Sequence, residues 1–224
     1  IITDQLSEAL FTPSEDADRN LQKEGIPASK VHLVGNVMID TLTYLLPKSQ
    51  SNWYQLAPNF PRKYILVTLH RPANVDHADT LVEIMSALET ISMEIPVLFP
   101  VHPRTRERLK EFDLQPKSSR FQLLDPLGYL DFLSLQEHAS LVLTDSGGIQ
   151  EETTYLGVPC LTARPNTERP VTISMGTNQL VESESTSLVQ AMQASLSGSR
   201  PKKKSPPLWA GHTAGRIVKV FRQV

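Results

Sequence analysis

Short apolar runs alternate with amphipathic stretches along most of this chain. Runs at residues 31–34, 64–69, 96–101, 121–124, 141–144 and 159–162 are rich in Val, Ile, Leu and Phe and predict β-strands. Between them, helical patterns fall at 15–24, 80–92, 105–112, 129–138, 149–156 and 187–196. Strands that alternate with helices of about ten residues make βαβ units, and these build a parallel sheet with helices on both faces. The run 64–69 is nearly all apolar, as a strand at the centre of such a sheet should be. Two stretches break the alternation. Residues 47–61 carry prolines and few periodic apolar positions, which predicts a linker, and 197–207, "SGSRPKKKSPP", predicts a solvated loop.

Composition narrows the function. The chain has 224 residues, enough for one large domain with a sizeable core. Its formal net charge is −2 with both signs interspersed, so it offers no basic field for nucleic acid or an anionic membrane. One cysteine, Cys160, allows no internal disulfide and suits a reducing compartment. No apolar run approaches the roughly 18–20 residues that a membrane span needs. The chain starts with Ile1 rather than Met and reads as part of a longer protein.

In an open parallel sheet, ligands collect beyond the carboxyl ends of the strands. Here those ends carry His70-Arg71-Pro72, His102-Pro103-Arg104, Asp125-Pro126-Leu127-Gly128-Tyr129, Asp145-Ser146-Gly147-Gly148 and the loop 163–170, "ARPNTERP". Ser146, Gly147 and Gly148 open a helix, where bare amides and the positive end of the dipole suit a phosphate. Alternatively, Ser146 or Asp145 caps the helix and the glycines serve a tight turn. Glu151 and Glu152 also suit a helix start, and a sugar diol could donate two hydroxyl hydrogens to one carboxylate. Phosphate on the loop and ribose on the glutamate together spell a nucleotide. Arg169 could clamp a diphosphate, or simply pair with Glu168 on the surface. His70 follows a buried strand directly, so its ring should enter the cleft. The histidines show no zinc spacing, and neither a GxGxxG nor a P-loop motif occurs.

At these residues a family resemblance emerges. "TDSGGIQEE" (144–152), "HRPANVD" (70–76), "TERP" (167–170) and "GTNQLV" (176–181) together resemble the non-hydrolysing UDP-N-acetylglucosamine 2-epimerases. "FTPSEDADRNLQKEGI" (11–26) and "VGNVMIDTL" (34–42) resemble that family's approach to its interdomain region. The resemblance covers nearly the whole chain. It implies an α/β fold, a Rossmann-like parallel sheet with helices on both faces, forming the C-terminal half of a glycosyltransferase-B-like two-domain enzyme. Residues 1–50 would be the tail of the N-terminal domain and the connection, 51–206 the UDP-binding domain, and 207–224 a terminal helix packing back toward the N-terminal domain. One departure lies at 207–217, "PLWAGHTAGRI", where Gly211 stands in place of a family aspartate.

Carried over position by position, the resemblance implies that Ser146, Gly147, Gly148 and Arg169 hold the diphosphate and Glu152 holds the ribose. Leu127 and Phe132 would border the uracil, and His70 would lie beside the phosphates as a catalytic residue. The implied activity is inversion at C2 of UDP-GlcNAc in the cytoplasm, for cell-surface polysaccharide synthesis, without a cofactor or metal. The acid/base carboxylates would belong to the N-terminal half. A glycosyltransferase of the same fold and a non-catalytic UDP-sugar-binding module are the alternatives, and pairing as a homodimer stays open.

Overall fold

The computed structural model describes residues 1–198 and 205–222. The chain begins with α1 (Ile2–Leu6), β1 (Leu10–Thr12), α2 (Glu15–Lys23), β2 (Val31–Leu33) and the long α3 (Val37–Leu56). It continues through β3 (Ile65–Thr68), α4 (Pro72–Val75), α5 (Ala78–Ser92), β4 (Val97–Pro100), α6 (Pro103–Glu111) and β5 (Phe121–Leu124). Next come α7 (Tyr129–His138), β6 (Leu141–Thr144), α8 (Gly147–Leu156), β7 (Cys160–Ala163) and α9 (Val171–Ser174). The last elements are β8 (Asn178–Val181), α10 (Ser185–Ser197) and α11 (Thr213–Phe221).

Six strands form one parallel sheet in the order β5-β4-β3-β6-β7-β8. Alternation along β3 feeds both faces. Ile65, Val67 and Leu69 join one apolar cluster with Leu81, Ile84 and Leu88 of α5 and Leu188 and Met192 of α10. Tyr64 and Leu66 join the other, with Leu98, Leu135 and Val142. Leu127, Phe132 and Ile149 pack against this second cluster, which anchors the loop before α7 and the start of α8 to the sheet. The buried Tyr64 hydroxyl donates to the Leu135 carbonyl at 2.7 Å, so the ring brings no unpaired polar atom into the core.

The expected linker at 47–61 is corrected by the structure: α3 runs through Pro47 to Leu56. Proline removes one helical donor but is tolerated where packing holds the flanks. Here Ile39, Leu42 and Ser49 are buried. Ser134 donates to the Ser49 carbonyl at 2.6 Å, and Asn52 donates to Asp131 at 2.9 Å, fastening α3 along α7. Two short strands also went unpredicted. β1 pairs with β2 in a separate two-stranded parallel sheet, and β8 forms an edge of the large sheet. The amides of Thr213 and Ala214 donate to the Asp40 carboxylate at 3.0 and 2.7 Å, which ties the start of α11 to α3. The Phe221 ring lies 5.3 Å from that of Phe11 on β1. The lysine run predicted as a solvated loop lies outside the described residues.

Candidate functional site

The chain leaves β3 toward β4 and β5, then returns to β6 on the other side of β3. The sheet therefore has a switch point between β3 and β6, and the crevice beyond their carboxyl ends is where open α/β sheets take ligands. His70 and Arg71 follow β3, and Asp145 and Ser146 follow β6. These two ends are joined by Asp145, which is fully buried. Its carboxylate accepts from the amide of His70 at 3.1 Å, the amide of Arg71 at 2.8 Å and the Asn74 side chain at 3.1 Å. The Nδ1 atom of His70 lies 3.1 Å from the same carboxylate. Burial alone would raise the Asp145 carboxyl, but His70, the Arg71 amide and Asn74 hold it below the ordinary carboxylate value. Asn74 also donates to the Ala163 carbonyl at 2.9 Å, extending the lattice to the end of β7.

Helix α8 starts at this junction. Ser146 occupies the N-cap position, yet its side chain makes no capping bond, and its amide donates to Thr144 Oγ1 at 3.0 Å. The first-turn amides of a helix lack partners within it and attract anions. The anion standing over this turn is Glu168. A Cβ added at Gly147 would lie 3.1 Å from Glu168 Oε1, so a side chain there would crowd the approach. Glu168 also pairs with Arg164 at 2.7 Å and with Arg71 at 3.1 Å. Chiefly through Arg164, its carboxyl is held down to about 2.

The carboxylate pair of α8 divides between two sides, because adjacent helical residues point about 100° apart. Glu152 turns toward the loop before α7, where the Tyr129 hydroxyl donates to its Oε1 at 2.9 Å. Its Oε2 atom is buried without a hydrogen-bond partner. Burial pushes this carboxyl up, and Tyr129 and Gln136 offset only part of that effect. Glu151 turns toward Arg169, whose Nε lies 2.7 Å from its Oε1. That pair opens on a cleft of about 290 Å³ lined also by Phe11, Asn36 and Thr213.

The loop carrying Arg169 is fixed from beneath. Gln150 is fully buried, and its Oε1 accepts from Thr167 at 2.6 Å and from Asn178 at 3.2 Å. The Arg169 amide donates to Thr167 Oγ1 at 3.0 Å. "TERP" and "GTNQLV" thus meet through one buried amide on α8.

A sequence model of UDP-N-acetylglucosamine 2-epimerases matches residues 1–222. The chain belongs to this family. It is 40% identical to the UDP-N-acetylglucosamine 2-epimerase of Methanocaldococcus jannaschii, over 99% of this chain and 62% of that protein. It is 37% identical to the UDP-2,3-diacetamido-2,3-dideoxy-D-glucuronate 2-epimerase of Pseudomonas aeruginosa, over 88% and 54%. The crystal structure of the M. jannaschii enzyme in complex with UDP-GlcNAc and UDP superposes with a TM-score of 0.90 at 38% identity, covering all of this chain and 63% of that one. The Neisseria meningitidis enzyme bound to UDP-GlcNAc gives 0.85 at 29% identity, with the same coverage. The chain therefore spans about three-fifths of the length of these two epimerase structures. A wall teichoic acid polymerase, TagF, shares the fold alone, with a TM-score of 0.59 at 11% identity. The expected α/β architecture, half of a glycosyltransferase-B-like fold, is thereby established.

Of the residues singled out in the sequence, Ser146, Gly147 and Gly148 lie at the α8 start, with His70 facing them through Asp145. Glu152 lies on the Tyr129 side, and Leu127 and Phe132 pack on the apolar cluster beneath that loop. Arg169 pairs with Glu151, and it is Glu168 that forms the surface ion pairs, with Arg71 and Arg164. Asn74 and Tyr129 carry no assigned role in the sequence, and Asp145 enters it only as an alternative to Ser146 for the helix cap; in the structure its carboxylate joins the ends of β3 and β6. The signal available was the pairing of an apolar strand ending in Asp with a second strand ending in His-Arg.

Proposed function

We propose that this chain supplies the uridine-diphosphate-binding half of an enzyme that inverts C2 of UDP-N-acetylglucosamine. The observation that carries this is the buried Glu152 Oε2, left without a partner about one and a half turns along α8 from amides suited to a phosphate. A ribose hydroxyl would satisfy that oxygen while the diphosphate rests on Ser146, Gly147 and Gly148. Leu127 and Phe132 would border the uracil, and Arg169 and His70 would face the phosphates.

The chemistry follows from the substrate. The proton on C2 is not next to a carbonyl, so removing it alone is unfavourable. Breaking the C1–O bond as the C2 proton leaves gives 2-acetamidoglucal and UDP. Protonation of C2 on the opposite face, with return of the UDP oxygen to C1, gives UDP-N-acetylmannosamine. Negative charge grows on the departing diphosphate, and the α8 amides, Arg169 and the His70 imidazolium would stabilise it. The four acids of this site are already engaged: Asp145 with its donors, Glu151 with Arg169, Glu152 with Tyr129 and Glu168 with two arginines. We assign the acid and base at C2 to the remainder of the full-length enzyme. The reaction belongs in the cytoplasm, where nucleotide sugars are made.

Calorimetric titration of UDP and UDP-GlcNAc into this chain tests the reading. We expect UDP to bind weakly, and R169A and E152Q each to lower its affinity. Unchanged affinity in both variants would sink the site assignment. A coupled assay should find no turnover by this chain alone, and acceptor-dependent sugar transfer would favour a glycosyltransferase instead.

A further inference from the structure

His70 is not simply exposed beside the crevice; one edge of its ring stands against the buried Asp145 carboxylate. Asp145 already accepts from the His70 and Arg71 amides and from Asn74, and three such donors keep a buried carboxylate ionised. Asp145 Oδ1, a buried carboxylate oxygen with no proton to give, lies 3.1 Å from His70 Nδ1 and favours the tautomer that carries its hydrogen on that nitrogen. Neutral His70 then has its basic lone pair on Nε2, at the opposite edge of a side chain 41% exposed to the crevice. Arg71 follows His70 in sequence and disfavours a second positive charge, although Glu168 partly neutralises that guanidinium. The His102 ring stands 5.6 Å away, and its Nδ1 accepts from the Arg104 amide at the start of α6.

We propose that Asp145 is a positioning residue that holds His70 as the Nδ1–H tautomer, so that arrival of the diphosphate draws a proton from solvent onto Nε2. The bound state would then contain an imidazolium clamped between the buried carboxylate and the phosphate oxygens. That cation would be in place before the C1–O bond breaks, when charge on the diphosphate increases. The direction of the free-state titration agrees: Asp145 raises the His70 value, with burial and Arg71 in partial opposition. This inference rests on the reading that His70 borders the diphosphate.

Two measurements test it. Nitrogen-15 chemical shifts of the His70 ring in the unliganded wild-type chain, at a pH above its titration, should report a protonated Nδ1 and a bare Nε2. The opposite tautomer would overturn the proposal, and this experiment needs no variant to fold. Calorimetry of UDP binding in buffers of different ionisation enthalpy, near neutral pH, should show net proton uptake. H70Q should abolish the uptake, and D145N should reduce it while shifting the His70 titration downward. Uptake that persists in H70Q would overturn the coupling. If UDP does not bind the wild-type chain, the nucleotide reading and the coupling fall together, while the ring shifts still decide whether Asp145 sets the tautomer.

Discussion

Arg169 and Glu151 form an ion pair in which the acid is the buried member: Nε stands 2.7 Å from Oε1, with the two side chains 38% and 5% exposed. The Nε–H is not aimed at the oxygen, so the contact is one of charge more than of a directed hydrogen bond. Burial leaves the Glu151 carboxyl raised, and Arg169 is the main influence that opposes this in part. With Nε beside Glu151 and Nη1 donating to the Glu168 carbonyl at 3.3 Å, Nη2 is the guanidinium nitrogen left to meet an anion. E151Q should weaken UDP binding by roughly three- to tenfold, comparable to losing one charge-assisted contact. Added to R169A, the same change should do almost nothing. Additive losses in that double-mutant cycle would show that Glu151 acts independently of the arginine.

Glu168 predicts a change in the other direction. Its carboxylate stands over the first turn of α8, near Gly147, and is paired with Arg71 and Arg164. A diphosphate arriving there meets a like charge. E168Q should therefore bind UDP several-fold more tightly at low salt, with the gain shrinking as ionic strength rises. Because the folded carboxyl is held down to about 2, its contribution to stability is present above the ordinary value of 4.5. That contribution is lost as pH falls from there toward 2. Glu168 is 44% exposed, so the loss should be small, well under about 1 kcal/mol. Titrations at two salt concentrations check the first point, and thermal melts of both proteins at neutral pH check the second.

Glu152 carries the opposite linkage. Its folded carboxyl is raised, above all by burial, so at pH values between the ordinary carboxylate value and the folded one the native state binds more protons than the unfolded chain. Stability therefore falls as pH climbs through that interval, and above it the ionised carboxylate is a standing cost. E152Q removes the cost and keeps the shape. It should raise the melting temperature at pH 7 by a few degrees, since about 1 kcal/mol shifts a domain of this size by roughly 2–4 °C. The same variant should lose discrimination between UDP and 2′-deoxy-UDP. A lower melting temperature would mean that Tyr129 and Gln136 more than compensate the burial.

Much of this arrangement is legible in the sequence, for physical reasons that differ by element. The strands at 121–124 and 141–144 and the helix at 129–138 agree with the structure to the residue, because buried parallel strands are apolar runs and the intervening helix is marked by Gly128 before it. Helix α3 was hidden by Pro47, whose local preference is overridden by tertiary packing on α7. β8 was hidden because Asn178 and Gln179 are polar, yet Asn178 is buried to hydrogen-bond Thr162 and Gln150. At the site, residue types suited to anions and diols could be read one at a time. Which acid meets which cation could not, since adjacent Glu151 and Glu152 face different partners and Glu168 reaches back to two arginines. Those pairings are set by the crevice at the sheet's switch point, a property of strand order rather than of any local run.

Gly176 shows how little freedom the fold leaves beside α9, the short helix that follows Arg169. It lies between α9 and β8, and a Cβ there would overlap Thr154 Oγ1 on α8 and the Thr172 carbonyl, and come within 2.7 Å of Thr154 Cγ2. One of these obstacles is backbone, so a side chain could not be accommodated by a simple rotation of Thr154. The displaced segment would be α9, whose Thr172 hydroxyl donates to the Arg169 carbonyl at 2.7 Å and accepts from Asn178 at 3.2 Å. G176A should therefore destabilise the fold by about 1–3 kcal/mol, the usual range for overpacking a tight interior. It should also weaken UDP binding, because the loop that aims Arg169 hangs from the same hydrogen bonds. The double variant G176A/T154A removes two of the three clashes but not the carbonyl. It should recover only part of the stability in chemical denaturation, and full recovery would show that Thr154, not the backbone of α9, is what excludes a side chain at this position.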